Sequence, residues 1–295
     1  MPATKFYCPN GQQIKISECL AHCSYGSRCM FLPTLRAIAQ SANRGIDEPT
    51  VTELMSGTRE TYLKRTIDYA IAPEASLYAL HGQGVHGLHE NAVDDGILSE
   101  IRLKDSTTSG KFDMYGSLLD EDNGCLGDLK VTSSYKLMRA LGYYKKSVPT
   151  GEVYKTGAKK GQPKYRQELF TDGVKFVMDW AVQINYYRML LEAHGYKVNS
   201  MYVQAMCRDG SLRIASERGI DRNIYLIPIN KISDRWLRRY FNHKARLLKD
   251  AMSTGQIPAV CSVRERWHDR KCSGYCDVAE HCSYGASLKQ DKKVG

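Results

Sequence analysis

Two aspartates and a lysine lie close together in residues 109–130. Asp113 belongs to one run of alternating apolar residues, and Asp128 and Lys130 belong to the next run, after the turn-rich residues 120–124. Alternation on both sides of a turn predicts a β-hairpin. If its strands pair, Asp113 and Asp128 approach each other on one face of the sheet. Lys130 then points to the same face, because side chains alternate along a strand.

Such a set of side chains suits the hydrolysis of a phosphodiester. Carboxylate oxygens hold magnesium or manganese, and an ammonium group balances the negative charge that develops on the attacked phosphate. An Asp-x-Lys sequence is also common on an ordinary solvated strand face. Asp128 and Lys130 therefore need further residues beside them to indicate catalysis.

Two predicted helices add residues to this set. Upstream, a helix over residues 84–95 contains His86. Downstream, the amphipathic pattern of residues 177–192 predicts a helix on which Gln183 and Tyr187, four residues apart, share one face. Taken singly, His86 is typical of a capping or core histidine, and Tyr187 is typical of a packed aromatic residue.

Eight of the ten cysteines form two quartets with one repeated spacing, C-x10-C-x3-C-x5-C. The quartets are Cys8, Cys19, Cys23 and Cys29, and Cys261, Cys272, Cys276 and Cys282. Cys125 and Cys207 lie outside both quartets and are predicted core thiols. The sequence lacks a signal peptide's apolar core and a membrane-spanning apolar run, so we expect a cytoplasmic protein whose quartets bind metal rather than form disulfides. Four thiolates suit either zinc or an iron–sulfur cluster.

The order of the motifs resembles that of a nuclease family. A Gly-x-His helix precedes a strand with Gly-x-x-Asp (Gly110 to Asp113), a strand with Asp-x-Lys and a helix with Gln-x-x-x-Tyr. Over residues 82–204 this series is similar to the RecB-like branch of the PD-(D/E)XK nucleases, which includes the CRISPR-adaptation exonuclease and the AddAB nuclease domains. The resemblance implies an α/β fold with a restriction-endonuclease-like core, in which helices flank a central mixed sheet.

The resemblance also implies a role for each residue of the series. The ligands of Mn²⁺ or Mg²⁺ would be His86, Asp113 and Asp128. Lys130 would be the catalytic lysine, and Gln183 and Tyr187 would be the helix residues that help hold the site and the DNA strand. An imidazole among carboxylates favours manganese somewhat more than an all-oxygen site would. His89 is the alternative to His86, which we prefer because it stands two residues after Gly84, as in the family pattern.

Several members of this family carry a 4Fe-4S cluster, tied by one cysteine before the nuclease core and three after it. The C-terminal trio here would be Cys272, Cys276 and Cys282, although its first gap is x3 where the family usually has x2. The fourth ligand would be either Cys261, which would give a self-contained C-terminal site, or Cys29. Cys29 leads into an apolar helix, as the lone N-terminal cysteine of the family does. Two full quartets favour two centres. We expect 4Fe-4S in at least one, preferably the C-terminal one, and zinc remains an alternative at either.

A net charge of +10 and a pI near 9.0 indicate an anionic partner. Basic residues cluster in and beside residues 147–167, which are predicted to be a loop inserted near residues 145–168; they are Lys145, Lys146, Lys155, Lys159, Lys160, Lys164 and Arg166. This insertion is either a solvated loop or a cover for DNA phosphates. A second basic stretch, residues 235–249, predicts an amphipathic helix with a cationic face that either lines the DNA path or lies beside the metal centre.

The elements that must position these residues follow from periodicity and turn signals. Helices are predicted near residues 30–41, 51–56, 58–69, 84–95, 134–144, 171–193 and 233–253. Strands are predicted near residues 97–104, 111–119, 125–132, 200–207, 212–216 and 223–229. We divide the chain into a cysteine-rich segment (1–40), a nuclease core (41–232), and a basic helix with the second cysteine-rich segment (233–295).

The resulting expectation is a metal-dependent DNase, an exonuclease on single-stranded or frayed DNA ends that acts in recombination, repair or CRISPR-type processing. The chain has no Walker A phosphate loop, so any unwinding would need a helicase or another recombination or CRISPR partner. Two alternatives remain. One is a structure-specific endonuclease subunit of a larger complex, and the other is a non-catalytic DNA-binding protein held together by its metal centres.

Overall fold

The computed structural model describes residues 3–42, 48–119, 123–173 and 175–294, so the turn predicted at residues 120–124 lies partly outside the described residues. The helices of this part of the chain are α1 (Ile16–Ala21), α2 (Leu32–Ala42), α3 (Val51–Met55), α4 (Thr58–Thr66), α5 (Leu77–Glu90), α6 (Ser134–Ala140), α7 (Met178–Ala193), α8 (Arg213–Ser216), α9 (Asp234–Thr254), α10 (Arg270–Gly274) and α11 (Ser283–Val294). Its strands are β1 (Lys5–Tyr7), β2 (Gln13–Lys15), β3 (Ala70–Ile71), β4 (Leu98–Ser99), β5 (Arg102–Lys104), β6 (Ser109–Lys111), β7 (Met114–Ser117), β8 (Asn123–Thr132), β9 (Tyr143–Val153), β10 (Pro163–Thr171), β11 (Ser200–Cys207) and β12 (Ile224–Pro228). Among these helices, none is both long and apolar enough to cross a membrane.

A five-stranded mixed sheet with the order β12-β11-β8-β7-β4 forms the centre of the fold. Its middle strand, β8, is antiparallel to β7 and parallel to β11. A parallel pair requires a crossover connection, and the predicted long helix, α7, lies in that connection. The α/β class predicted from the sequence is thereby confirmed.

The helix α7 is buried along most of its length because it packs against the central sheet, α3 and α9. Eleven of its sixteen residues are buried. One of them is Arg188, whose guanidinium forms ion pairs with Glu192 and Asp234. These carboxylates compensate a buried charge that would be costly without a partner.

The amphipathic helix predicted over residues 233–253 is α9. Its apolar contacts come from Leu237, Phe241 and Leu248, which are spaced so that they lie on one face and are buried. The hydroxyl of Ser233 caps the first turn, and Gly255 ends the helix with a left-handed backbone (φ 72°).

Both cysteine-rich segments are attached to folded elements. At the N-terminal end, Phe6, Leu35 and Ile38 form a small separate core beneath the sheet β2-β1-β3. At the C-terminal end, Val278 is fully buried in the same main core as the central sheet. The C-terminal cysteine-rich segment therefore packs directly onto the core, whereas the N-terminal one has a hydrophobic cluster of its own.

Several sequence predictions of local structure were wrong. The segment predicted as a strand at residues 212–216 forms the short helix α8, which begins at Arg213, and within the described residues no strand pairs with it. The predicted helix at 84–95 begins earlier, at Leu77, after a 3₁₀ turn at Pro73–Ser76. The strand predicted at 97–104 is interrupted at residues 100 and 101, and the interruption matters for the site described below.

The basic insertion is not a loop but a two-stranded antiparallel ribbon, β9–β10. Its glycines suggested a loop, yet they lie where the ribbon needs left-handed backbone. Gly157 (φ 78°) and Gly161 (φ 82°) lie in the connecting turn, and Gly151 (φ 79°) lies in a bulge. Below the bulge the two strands pair residue for residue, from Tyr143 opposite Thr171 to Pro149 opposite Tyr165.

Candidate functional site

The helix α5 carries His86 although its sequence is a poor helix former. It contains Gly82, Gly84 and Gly87, and none of its residues is fully buried. The His86 ring lies with Nδ1 2.8 Å from Oε1 of Glu100. His89, the alternative, has its Nδ1 2.8 Å from a carbonyl of its own helix, and it is His86 that contacts acidic groups.

Glu100 was missed by the sequence predictions. It lies between β4 and β5 with a left-handed backbone (φ 55°), and its N–H donates to the Asp113 carbonyl at 3.0 Å. Such a conformation is unfavourable for a residue with a side chain, and backbone strain of this kind is enriched at functional sites. The available signal was an acidic residue inside the apolar run of residues 97–103. Burial by itself would raise the pKa of Glu100, but Lys111 and His86 hold it below its usual range.

Asp113 and Asp128 lie across from each other in the predicted hairpin. Met114 pairs with Gly127, so the next residue positions outward along β7 and β8 are those of the two aspartates. Both are buried, with exposed fractions of 7% and 1%. Burial and the neighbouring Asp128 charge raise the pKa of Asp113 to about 7. Two buried carboxylates in such proximity are costly unless a cation joins them.

Within the described residues, one group of three potential metal ligands has all its ligand atoms within 4.8 Å of one another, namely His86, Glu100 and Asp113. One imidazole nitrogen and carboxylate oxygens suit Mn²⁺ or Mg²⁺. The adjacent Asp128 is also buried, and its Oδ2 already meets the Lys130 ammonium at 2.7 Å. The donors present thus fit a divalent cation. Asp128 lies outside the group of three, so its role as a ligand stays a prediction.

Lys130 lies two residues beyond Asp128 on β8, as the strand period predicts. Its Nζ donates to Asp128 Oδ1 at 2.8 Å and lies 2.7 Å from Oδ2. Burial lowers the pKa of the Lys130 ammonium, but the charges of Asp128 and Asp113 outweigh burial and raise it. The side chain therefore remains a cation at neutral pH, with 23% of its surface exposed.

The Gln183 and Tyr187 side chains of α7 reach the same region. Gln183 Nε2 donates to the Tyr187 hydroxyl at 2.9 Å. Burial, together with the charges of Asp128 and Asp113, raises the pKa of Tyr187, which places its ring beside the two aspartates. A Cβ on Gly110 would lie 2.6 Å from the Tyr187 ring, so the glycine of Gly-x-x-Asp gives this ring its space.

The four C-terminal cysteines line one small cavity together with Arg59. Their sulfurs meet hydrogen-bond donors. Cys261 meets the Glu60 N–H, Cys276 the Val278 N–H, and Cys282 the N–H groups of Gly285 and Tyr284. Arg59 Nη1 lies 3.7 Å from the Cys282 sulfur. At Cys282 the donors outweigh burial and lower the pKa of the thiol, which favours the thiolate, whereas burial raises the pKa values of Cys261, Cys272 and Cys276.

Ion pairs connect this cavity to α4. Lys64 lies 3.2 Å from Glu60 and 2.8 Å from Asp277, and Lys271 pairs with Glu60. Glu60 is only 7% exposed, so its contacts are shielded from water. The network holds the C-terminal cysteine segment against a helix more than 200 residues earlier in the chain.

The N-terminal cysteines form a second cluster. Burial first, and then the neighbouring thiols of the same quartet, raise the pKa values of Cys8 and Cys19. Cys29 is among those neighbours, whereas Cys261 lines the C-terminal cavity. Of the two alternatives for the fourth C-terminal ligand, the geometry favours Cys261. The remaining cysteines, Cys125 and Cys207, are buried, as predicted for core thiols.

One sequence signal was missed in the quartets. The pentapeptide His-Cys-Ser-Tyr-Gly occurs twice, at residues 22–26 and 281–285. In the second copy, the Tyr and Gly backbone N–H groups face the cysteine sulfur. The two ends therefore share local sequence as well as cysteine spacing. The two signals align them differently, because the pentapeptide aligns Cys23 with Cys282 and the spacing formula aligns Cys23 with Cys276.

Comparison with known proteins found no relative of this chain. No protein-family model, no curated protein and no solved structure matches the chain. The likeness to RecB-like nucleases therefore stays a prediction from the motifs, and a function must be argued from the residues and their geometry.

Proposed function

We propose that this protein is a divalent-metal-dependent DNA nuclease of the RecB-like PD-(D/E)XK type. The observation that carries the proposal is the meeting of His86, Glu100 and Asp113 next to the buried pair of Asp128 and Lys130. Residues from α5, the β4–β5 junction, the strand hairpin and α7 contribute to this one region. Glu100 pairs with Lys111 and Asp128 pairs with Lys130. An imidazole, three carboxylates and a buried lysine in one region are more than an ordinary structural ion pair needs, whereas phosphodiester hydrolysis uses each of these groups.

In this proposal His86, Glu100 and Asp113 hold Mn²⁺ or Mg²⁺, and Asp128 holds it from the adjacent strand. The bound cation would supply charge neutralisation for the phosphate and a lower pKa for the attacking water. Lys130 keeps its proton and faces the phosphate oxygens, where negative charge accumulates as the P–O bond to water forms and the opposite P–O bond breaks. The released oxygen takes a proton from solvent.

The substrate class follows from charge. A net charge of +10 favours a polyanion, and we propose single-stranded or frayed DNA ends as substrate, in recombination, repair or CRISPR-type processing with a helicase or another partner protein. Tyr187 and Gln183 border the site, where they can hold the scissile strand.

We further propose that the C-terminal quartet binds a 4Fe-4S cluster and the N-terminal quartet a second centre, iron–sulfur or zinc. The first assignment is supported by the four C-terminal cysteines, which line one cavity and together offer the four thiolates that such a cluster needs. Anaerobic purification with iron, sulfide and zinc analysis tests it. A quartet variant, Cys282→Ser, should lose iron and the visible absorption, and a zinc-only protein would contradict the assignment.

The nuclease proposal is tested with oligonucleotides labelled at either end, in Mn²⁺, Mg²⁺ or EDTA. Lys130→Met should lower the cleavage rate by about 100-fold or more, since it removes the cation that faces the developing charge. Lys197→Met, at an exposed lysine, is the matched control. DNA binding without metal-dependent cleavage in any preparation would leave a non-catalytic DNA-binding protein. Equal activity of Lys130→Met and the control would remove Lys130 from the mechanism.

A further inference from the structure

In sequence, the ribbon β9–β10 lies between two elements of the site. It follows β8 and α6 in sequence, and α7 follows it, so it connects the element that carries Lys130 with the element that carries Tyr187. Nine residues of β10 correspond to a length of roughly 30 Å. At its base, Lys145 lies 3.8 Å from Glu217 and Leu169 contacts Gly219, which attaches the ribbon to the body of the protein.

Away from its base, the ribbon is largely exposed on both faces. No residue of β9 or β10 is buried, and β9 is exposed throughout from Pro149 to Val153. An isolated two-stranded ribbon is only marginally stable in water. A long ribbon that is exposed on both faces is therefore a surface for a partner, and its charge indicates which partner.

Residues 143–171 contain seven lysines and arginines but only two glutamates, a net charge of +5 out of the +10 of the whole chain. Both glutamates are paired within the ribbon, Glu152 with Lys164 at 3.0 Å and Glu168 with Arg166. Among the described residues, no carboxylate pairs with the lysines of the tip, which are Lys155, Lys159 and Lys160. The tip thus presents three uncompensated cations.

Aromatic rings support the lysines instead of acidic residues. Lys146 Nζ lies 5.0 Å from the centre of the Tyr144 ring and 5.6 Å from that of Phe170, and these two rings are stacked. Near the tip, Lys159 lies 5.9 Å from the Tyr154 ring. Cation–π contacts hold an ammonium group in place without neutralising it. The rings engaged by lysines are less available to stack on unpaired bases.

We infer that the β9–β10 ribbon binds the phosphates of double-stranded DNA and so holds the duplex behind the end that enters the site. A two-stranded ribbon is one of the two elements that fit the major groove of B-DNA, and its cations would lie against the phosphates on either side. This inference deepens the proposed nuclease function and rests on it for the position of the cut end. It specifies a duplex with a single-stranded end as the preferred substrate.

The test compares two variants with the same change in charge. The tip variant carries Lys155→Gln, Lys159→Gln and Lys160→Gln, and the control carries Lys15→Gln, Lys104→Gln and Lys197→Gln, three exposed lysines outside the ribbon. Binding to a 20-base-pair duplex with a six-nucleotide overhang is measured in EDTA across a salt series. For the tip variant alone, the slope of log Kd against log salt should fall by about 3, since each lost phosphate contact contributes about 0.9.

Cleavage of a free six-nucleotide single strand should be unchanged in the tip variant, since such a short strand occupies only the site. Equal slopes for the tip variant, the control and the parent would overturn the inference. An equal loss of affinity for duplex and for long single strands would overturn the duplex assignment. Ribbon-dependent duplex binding without any cleavage would contradict the nuclease proposal alone, and cleavage with a ribbon-independent slope would contradict this inference alone.

Discussion

Replacing the aspartate at the centre of the candidate site should make the metal-free protein more stable. Asp113 is 7% exposed and lies beside Asp128, and these two features raise its pKa to about 7. Lys130 and His86 offset only part of the cost. The change Asp113→Asn keeps the size of the side chain and an oxygen that can accept the 2.6 Å hydrogen bond from the Leu129 N–H, but it removes the charge.

The size of the effect follows from the pKa. An unperturbed aspartate has a pKa of 3.8, so a pKa of about 7 corresponds to a penalty of up to about 4 kcal/mol on the ionised form, at about 1.4 kcal/mol per pH unit. Below pH 3.8 the carboxyl is protonated in both the folded and unfolded states, and the penalty vanishes. Between these pH values the unfolded chain ionises first, so the free energy of unfolding falls as the pH rises, and above pH 7 the full penalty applies. At pH 8 we expect Asp113→Asn to gain about 2 to 4 kcal/mol, after allowance for relaxation around the charge.

The assay is denaturant unfolding in EDTA from pH 4 to 8, with Asp68→Asn as an exposed control. The parent and Asp113→Asn should be equally stable near pH 4 and diverge towards pH 8, while the control follows the parent. Addition of Mn²⁺ should reverse the order at pH 8, because the ion stabilises the folded form that binds it. A variant that is less stable than the parent at pH 8 in EDTA, or that keeps the parent's pH dependence, would refute the electrostatic account of Asp113.

Three further variants probe the supports of the site. Gly110→Ala should cost about 1 to 3 kcal/mol and lower cleavage, because its Cβ would lie 2.6 Å from the Tyr187 ring; unfolding curves and nuclease assays measure both, and a neutral variant would show that the ring moves freely. Gly84→Ala should instead stabilise α5 by up to about 1 kcal/mol, because its Cβ meets no atom within 4 Å and its φ is not left-handed; unfolding curves measure the gain, and a loss of stability would contradict this account. Glu265→Gln should lower the free energy of unfolding by about 3 kcal/mol, because the buried Lys244 ammonium would lose its carboxylate. The double variant with Lys244→Met should recover part of this loss, and full additivity of the two changes would refute the pairing.

Local patterning predicted the elements whose residues are neighbours in sequence. Period-two alternation placed Asp113 across from Asp128 and put Lys130 on the same face, and the structure confirms that arrangement. The 3.6-residue period brought Gln183 and Tyr187 together on α7. Patterning failed for the ribbon, because its turn glycines resemble those of a loop until the strands are seen to pair.

What the sequence by itself determined is the inventory of reactive groups and their grouping along the chain. The repeated cysteine spacing defined two quartets, and the order of acidic residues, lysine and histidine predicts a metal-dependent phosphodiesterase, which stays a proposal. Only the tertiary structure decided which groups meet. Glu100 meets His86 because its own left-handed backbone interrupts the strand predicted there. Cys261 meets Cys272, Cys276 and Cys282 because the C-terminal segment packs on α4, which brings the four cysteines to one cavity. Both outcomes depend on contacts between distant segments, and local periodicity carries no information about such contacts.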